Sequence, residues 1–272
     1  MGNSFLNGRV LIVAGSDSSG GAGLQADLKT VTAFGGYAAT AVTAVTEQNT
    51  FGVNNVHSIP PDLVASQINA VLMDIGADVI KIGMLGSADI VKSVSDSCGR
   101  FATGIPCVVD PVMVAKGGHR LISDDAIDAL KNCVVKGAAL VTPNLPEAEV
   151  LTGRCIKTLS DMEAAVDALR CLGAKAILLK GGHVQGDDIM DLLITNERVE
   201  SFVGRRLDSS STHGTGCTLA SAIATGLAQK LHLSDAVRQA RDYVRDAILT
   251  APNFGGGQGP LNHVHSIRRS ST

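Results

Sequence analysis

His213, Gly214, Thr215, Gly216 and Cys217 stand just before a run of small and apolar residues over 220–227 that reads as a buried helix. The first N–H groups of a helix lack intrahelical partners and carry a partial positive charge, so they attract anions, phosphate above all. Glycine at Gly214 and Gly216 leaves these donors unshielded. Cys217 falls in the first turn, where the same field favours a thiolate. A phosphate-facing turn with a candidate base beside it suits phosphoryl transfer to a hydroxyl. The plainer alternative is a loop entering a helix, with Cys217 as a small core residue, because free cysteine is usually buried and inert.

Other chemistry-bearing residues follow short apolar runs. They are the Gly/Ser-rich stretch 15–23, Met84, Asp110, Asn144 with Glu147, and Lys180 with Gly181, Gly182 and His183. The runs that must position them read as strands over 9–14, 38–45, 53–59, 79–82, 107–109, 139–141 and 176–179. Helical patterns lie between them, over 24–34, from Pro61, over 88–98, over 124–135, up to Leu151 and over 160–172. A hairpin is expected from 190–194 with 199–203, then helices from Thr215 and over 234–251.

Strand–helix alternation without a composition break predicts one α/β domain over 1–272, with a mostly parallel central sheet and helices on both faces. In such sheets ligands bind beyond the carboxyl ends of the strands, where these residues collect. Stretches 1–8 and 266–272 are expected to be flexible, and 183–188 a mobile flap.

Two motifs are misleading. Gly21, Gly23 and Ala26 match a dinucleotide fingerprint, but six residues separate Gly21 from the strand ending at Ala14, where a tight turn is needed. Lys29 and Thr30 resemble the end of a P-loop, but no glycine precedes Lys29.

The bulk properties narrow the classes. The chain has 272 residues and a net charge of −3, which gives no electrostatic case for nucleic acid or an anionic membrane surface. Its six cysteines include no C-x-x-C pair, and no run has the length of a signal peptide core or a transmembrane span. Reduced thiols in a cytoplasmic protein are expected.

Taken in order, the motifs resemble a known family. They are the stretch from Gly20, Gly21, Ala22 and Gly23 through Asp27 to Thr30; Glu47 and Gln48 with Asn49 and Thr50; Lys81, Ile82, Gly83, Met84 and Leu85; Asp110, Pro111, Val112 and Met113; Thr142, Pro143 and Asn144 with Glu147; Lys180, Gly181, Gly182 and His183; and Thr212 to Leu219. Their order and spacing resemble hydroxymethylpyrimidine/phosphomethylpyrimidine kinases of the ribokinase-like superfamily, from about Val10 to His265.

The resemblance implies two successive phosphorylations of 4-amino-5-hydroxymethyl-2-methylpyrimidine, with ATP and Mg²⁺, in a homodimer. It implies that Gln48 bonds the aminopyrimidine and that Ala22, Asp27, Met84 and Asp110 line or support its pocket. Asn144, Lys180, Thr215 and His213 would serve the nucleotide. Asp110 and Glu147 would hold Mg²⁺ through water, Lys180 would neutralise phosphate charge, and Gly214 and Gly216 would complete an anion hole. Cys217 stands where sugar kinases of the superfamily carry an aspartate base.

Other readings stay open beside these. Asn144 and Glu147 could cap a helix, Lys180 could be a solvated strand end, and His213 could make a structural hydrogen bond. Ser18, Glu47 and the stretch Lys116, Gly117, Gly118 and His119 depart from the family pattern. A pyridoxal kinase of the same fold is the alternative activity. A catalytically silent pyrimidine- or nucleotide-binding module is another class, disfavoured by Lys180, Glu147 and Cys217 together.

Overall fold

Short β-branched runs bounded by glycine and polar residues form β1 (Arg9–Asp17), β2 (Tyr37–Asn49), β3 (Gly52–Ser58), β4 (Val79–Ile82), β5 (Cys107–Val109), β6 (Leu140–Val141), β7 (Ala176–Leu179), β8 (Asp188–Thr195) and β9 (Val199–Arg205). The computed structural model describes residues 7–114 and 121–267. Lys116, Gly117, Gly118 and His119, and the outer parts of both expected flexible ends, lie outside the described residues. Within them the strands form one sheet in the order β3-β2-β1-β4-β5-β6-β7-β8-β9. The strands from β2 through β7 in that order pair in parallel, whereas β3 at one edge and β8 and β9 at the other pair antiparallel.

The helices are α1 (Gly23–Ala33), α2 (Pro61–Asp74), α3 (Ala88–Phe101), α4 (Asp124–Leu130), α5 (Leu145–Thr152), α6 (Leu159–Ala164), α7 (Val166–Arg170), α8 (Thr215–Ala228) and α9 (Leu233–Leu249). Alternation along the strands divides the core between two faces. Leu11, Val13, Ile80 and Ile82 pack with Ile68 of α2, Val91 of α3, Leu151 of α5 and Leu169 of α7. Val10, Ile12, Val79 and Val108 face the other way, onto Val31 of α1, Ile223 of α8 and Val237 of α9. The sheet is therefore covered on both sides, as its near-continuous apolar strands require.

Several elements differ from the expectation, and the largest differences serve the site. β1 and β2 run on into polar residues, with Ser16 paired to Val45 and Asp17 to Thr46 after an irregularity between Ala14 and Ser16. Backbone pairing, which is blind to side-chain polarity, carries the ladder to Gln48. The helix expected over 160–172 divides at Ala165, and α4 continues as a π-turn over Lys131–Val135. At the amino end, Asn7 N donates to Gly35 O at 2.9 Å and Tyr37 N to Gly8 O at 2.9 Å. No helix among the described residues is long and apolar enough to cross a membrane.

Candidate active site

The carboxyl ends of the parallel strands open on a cavity of about 540 Å³, a size typical of small-molecule sites. Gln48, Ala22, Met84, Asp110, Asn144, Glu147, Lys180, His213, Gly214, Thr215, Gly216 and Cys217 all line it. Gln48 and Cys217, far apart in the chain, thus share one cavity.

One wall comes from the ends of β1 and β2. Asp17, 2% exposed, accepts hydrogen bonds from Ser19 N (2.8 Å), Ser19 Oγ (2.9 Å) and Ala22 N (2.8 Å). Its Oδ2 also lies 2.8 Å from His213 Nε2. His213 Nε2 in turn lies 3.3 Å from Gln48 Nε2, and Thr46 Oγ1 lies 3.2 Å from Gln48 Oε1. Met84 closes the wall beneath Gly15, where an added Cβ would come within 2.6 Å of the Met84 methyl.

The opposite wall is the start of α8. Its N-cap is Gly214, at φ +81°, and no side chain caps the helix. A Cβ on Gly214 would meet Gly21 O at 1.9 Å, so both the backbone turn and the close approach require glycine. Gly214, Thr215 and Gly216 at this uncapped end line the cavity, and the start of a helix attracts anions. By contrast α3 and α5 are capped by Ser87 and Asn144.

Charges gather between the walls. Lys180 Nζ donates to Asp110 Oδ1 at 3.0 Å, and Thr142 Oγ1 lies 3.2 Å from the same oxygen. Burial opposes the Asp110 charge, but Lys180 and Lys81 outweigh it and hold the carboxyl below its ordinary range. Burial likewise opposes the Lys180 charge, and Asp110 and Glu147 restore it.

Asn144 and Glu147 form a reciprocal capping box on α5. Glu147 N donates to Asn144 Oδ1 at 2.9 Å, and Asn144 N to Glu147 Oε2 at 2.8 Å. The capping reading holds, and both residues also face the cavity. Burial pushes the Glu147 carboxyl up to about 7; Lys180 pulls it down, while Asp110 adds to the rise.

Several residues depart from the roles expected of them. Of the two places expected for it, Asp27 takes the supporting one and does not line the cavity: it is fully buried beneath it, bonded to Lys81 Nζ at 2.8 Å and to Ser221 Oγ at 2.6 Å. Lys81, which does line the cavity, is held as an ammonium against its own burial by Asp27. Cys217 is not poised as a thiolate. Burial pushes its thiol up to about 12, and Lys81 offsets this only in part. His213 contacts Asp17 and Gln48 rather than the Lys180 side of the cavity. The segment 183–188, expected as a mobile flap, is tied to Arg206. Its guanidinium donates to Gly182 O (2.9 Å), Gly186 O (2.8 Å) and Val184 O, and its N to Asp187 O (2.7 Å).

Lys81, Asp17 and Asp191 are site residues that sequence pattern alone does not single out. A lysine inside the apolar run 79–82 is the available signal for the first. Asp17 sits within a Gly/Ser-rich stretch that masks it. Asp191 Oδ1 accepts from Gly181 N at 2.8 Å, and Arg241 donates to Oδ2 at 2.6 Å, which fixes the turn after Lys180.

A doubly covered parallel sheet with an uncapped helix start and two lysines at one cavity defines a ribokinase-like small-molecule kinase. The phosphomethylpyrimidine kinase family pattern matches residues 17–262. The chain belongs to that family of phosphotransferases.

It is 42% identical to the hydroxymethylpyrimidine/phosphomethylpyrimidine kinase of Rhizobium meliloti, covering 94% of this chain and 96% of that one. It is 49% identical to a thiamine biosynthesis bifunctional protein of Geobacter sulfurreducens, over 96% of this chain, and spans 53% of that protein's length. The solved pyridoxal kinase of Staphylococcus aureus in complex with pyridoxal superposes with a TM-score of 0.87 at 33% identity, covering 96% of this chain and 95% of that one.

Proposed function

We propose that the chain transfers a phosphoryl group from ATP to the hydroxyl of 4-amino-5-hydroxymethyl-2-methylpyrimidine. It then phosphorylates that monophosphate to the pyrophosphate, in thiamine diphosphate biosynthesis. The observation that carries this reading is that Gln48 and the start of α8 open on one cavity.

The Gln48 amide offers a donor and an acceptor to the edge of the aminopyrimidine, with Ala22 and Met84 beside the ring. The hydroxyl oxygen attacks the γ-phosphorus as the bond to the departing ADP oxygen breaks. Negative charge on the transferring group meets the N–H groups at Gly214 and Gly216, joined by that of Thr215 as it turns from its long 3.5 Å contact with Thr212 O. Lys180 and Asn144 serve the nucleotide phosphates.

In a loose transition state the alcohol keeps its proton until the new bond is well advanced. Cys217, a thiol at rest, can therefore orient the hydroxyl by hydrogen bonding, and the proton leaves late to a phosphoryl oxygen. This assigns Cys217 an orienting role in place of a base.

Mg²⁺ fits the donor set. Asp110 and Glu147 are hard oxygen donors beside Lys180, and no group of three or more His, Cys, Asp or Glu among the described residues forms a closed cage. Mg²⁺ keeps several waters and binds through one or two carboxylates and substrate phosphates. When bound, it would neutralise phosphate charge.

The likeness to a pyridoxal kinase supports a second reading, in which the ring is pyridoxal. Higher identity to the pyrimidine kinases favours the first. ADP release by purified protein, compared for the hydroxymethylpyrimidine, its monophosphate and pyridoxal, decides between them. Turnover of both pyrimidines above pyridoxal is expected; pyridoxal turnover alone would overturn the assignment. A homodimer in the cytoplasm completes the proposal, and light scattering of the purified protein tests the dimer.

A further inference from the structure

We infer that Asp17 and His213 are positioning residues that lock the Gln48 amide in one orientation and thereby select an aminopyrimidine edge. This rests on the function proposed above and extends it to what sets substrate preference.

The chain of contacts runs from Asp17 Oδ2 to His213 Nε2 at 2.8 Å, and from there to Gln48 at 3.3 Å. Asp17 is 2% and His213 5% exposed. Burial works against the Asp17 charge, but the bonds from His213, Ser19 and Ala22 hold its carboxyl below the ordinary value. An ionised carboxylate only accepts hydrogen bonds. A bare ring nitrogen at 2.8 Å from it would set lone pair against lone pair, so Nε2 carries the proton and faces Asp17 as a donor.

That proton fixes the neighbour. An amide NH₂ against Nε2–H would oppose two donors. The amide's oxygen and nitrogen are nearly the same size, so the surrounding network decides which is which. With the oxygen turned to His213, it shares the Nε2–H. The nitrogen then donates to Thr46 Oγ1, whose own hydroxyl donates to Ser16 O at 2.9 Å. Each of these contacts then sets a donor against an acceptor.

One lone pair and one N–H of Gln48 remain, side by side, for a ligand. They match a ring that presents an amino N–H next to a ring-nitrogen lone pair. A 3-hydroxypyridine has a hydroxyl but no ring nitrogen next to it, so it can pair with one of the two amide groups and leaves the other unmet, which a site built on hydrogen bonds disfavours. The seat of His213 is shaped for this: a Cβ on Gly21 would come 2.4 Å from its Cδ2.

The test is steady-state kinetics on the full chain and its variants His213→Leu and His213→Gln. The hydroxymethylpyrimidine, pyridoxal and ATP are varied in turn. Glutamine keeps an N–H near the Nε2 position; leucine does not. His213→Leu is expected to raise the pyrimidine KM about tenfold or more, with kcat and the ATP KM little changed. The preference for pyrimidine over pyridoxal should narrow by a similar factor, and His213→Gln should recover most of it.

Equal losses for both alcohols, a matching loss for ATP, or no recovery with glutamine would overturn the inference. Should His213→Leu not fold, Asp17→Asn is read the same way. It frees the ring to change tautomer, and an unchanged preference would overturn the lock. A wild-type chain that does not phosphorylate the pyrimidine at all sinks the proposed function itself. One that does, and whose preference survives these substitutions, sinks only the lock.

Discussion

Lys180 Nζ lies 3.0 Å from Asp110 Oδ1, and the two side chains are only 15% and 3% exposed. The pair sits against the start of α8: a Cβ on Gly216 would meet Lys180 Nζ at 3.3 Å and Asp110 Oδ2 at 3.5 Å. A cation, an anion and the uncapped end of a helix therefore converge where a phosphoryl group would sit. Lys180→Met should lower kcat/KM for ATP about 10²–10³-fold, the usual effect of removing one preorganised charge stabiliser. It should also destabilise the fold, by up to about 3–5 kcal/mol, because Asp110 loses its ion-pair partner in a buried site and keeps only Thr142 and the field of Lys81. Adding Asp110→Asn should restore part of the thermal stability and none of the activity. Thermal unfolding and kinetics on both variants check this.

Glu147 supplies the pH dependence. Its carboxyl stands at about 7 in the folded chain against an ordinary 4.5. The folded state thus holds a proton that the unfolded state releases between these values. Stability attributable to this group is therefore largest at the acid end of the window and falls as pH rises through it. Glu147→Gln can keep the capping box and removes the titration. The stability of the wild type relative to Glu147→Gln should decline from pH 5 to pH 7 and level off above, by about 1.4 kcal/mol for each tenfold difference in proton affinity between the folded and unfolded chain. A difference that stays constant with pH would show that Glu147 ionises normally. Denaturant titrations at several pH values measure it.

Gly214→Ala tests the anion hole. The added methyl meets Gly21 O, and its backbone sits at φ +81°. Either the turn opens or α8 shifts, and the N–H groups lose their aim. A fall in kcat of about 10²-fold or more is expected, with the pyrimidine KM changed far less. Rapid-quench or coupled-assay turnover reads the result.

Cys217→Ser separates an orienting thiol from a base. A thiol held up at about 12 is essentially all protonated at neutral pH. Serine keeps a small donor at the same place, so kcat should fall by no more than about tenfold and stay flat between about pH 6.5 and 8.5 apart from Glu147. A loss of about 10³-fold or more would restore the base.

Much of the scaffold is legible in the chain. The runs 79–82, 107–109 and 176–179 emerge as β4, β5 and β7 with the expected bounds, because short apolar segments bounded by polar residues, proline or glycine have few other options. Asn144 and Glu147 show their capping geometry in their spacing alone. What spacing cannot show is pairing across the fold. Asp27 meets Lys81 across 54 residues and His213 meets Asp17 across 196. Only the sheet order brings β1, β4 and α8 together. A buried lysine in a strand signals that a partner exists without saying which. The polar ends of β1 and β2 look like loops in the sequence because their ladder is held by backbone, which side-chain patterns do not record. The split at Ala165 is tertiary, with no glycine or proline to mark it.

The most direct measurement is the effect of Gln48→Ala on the separate KM values of the two substrates. If Gln48 aims the alcohol at a phosphoryl group held at the start of α8, the KM for the hydroxymethylpyrimidine rises about 10–100-fold, the worth of one or two buried hydrogen bonds. The ATP KM stays within about twofold, since the Gln48 amide contacts Thr46 and His213, away from Lys180. Equal losses for both substrates, or none for the pyrimidine, would contradict the account.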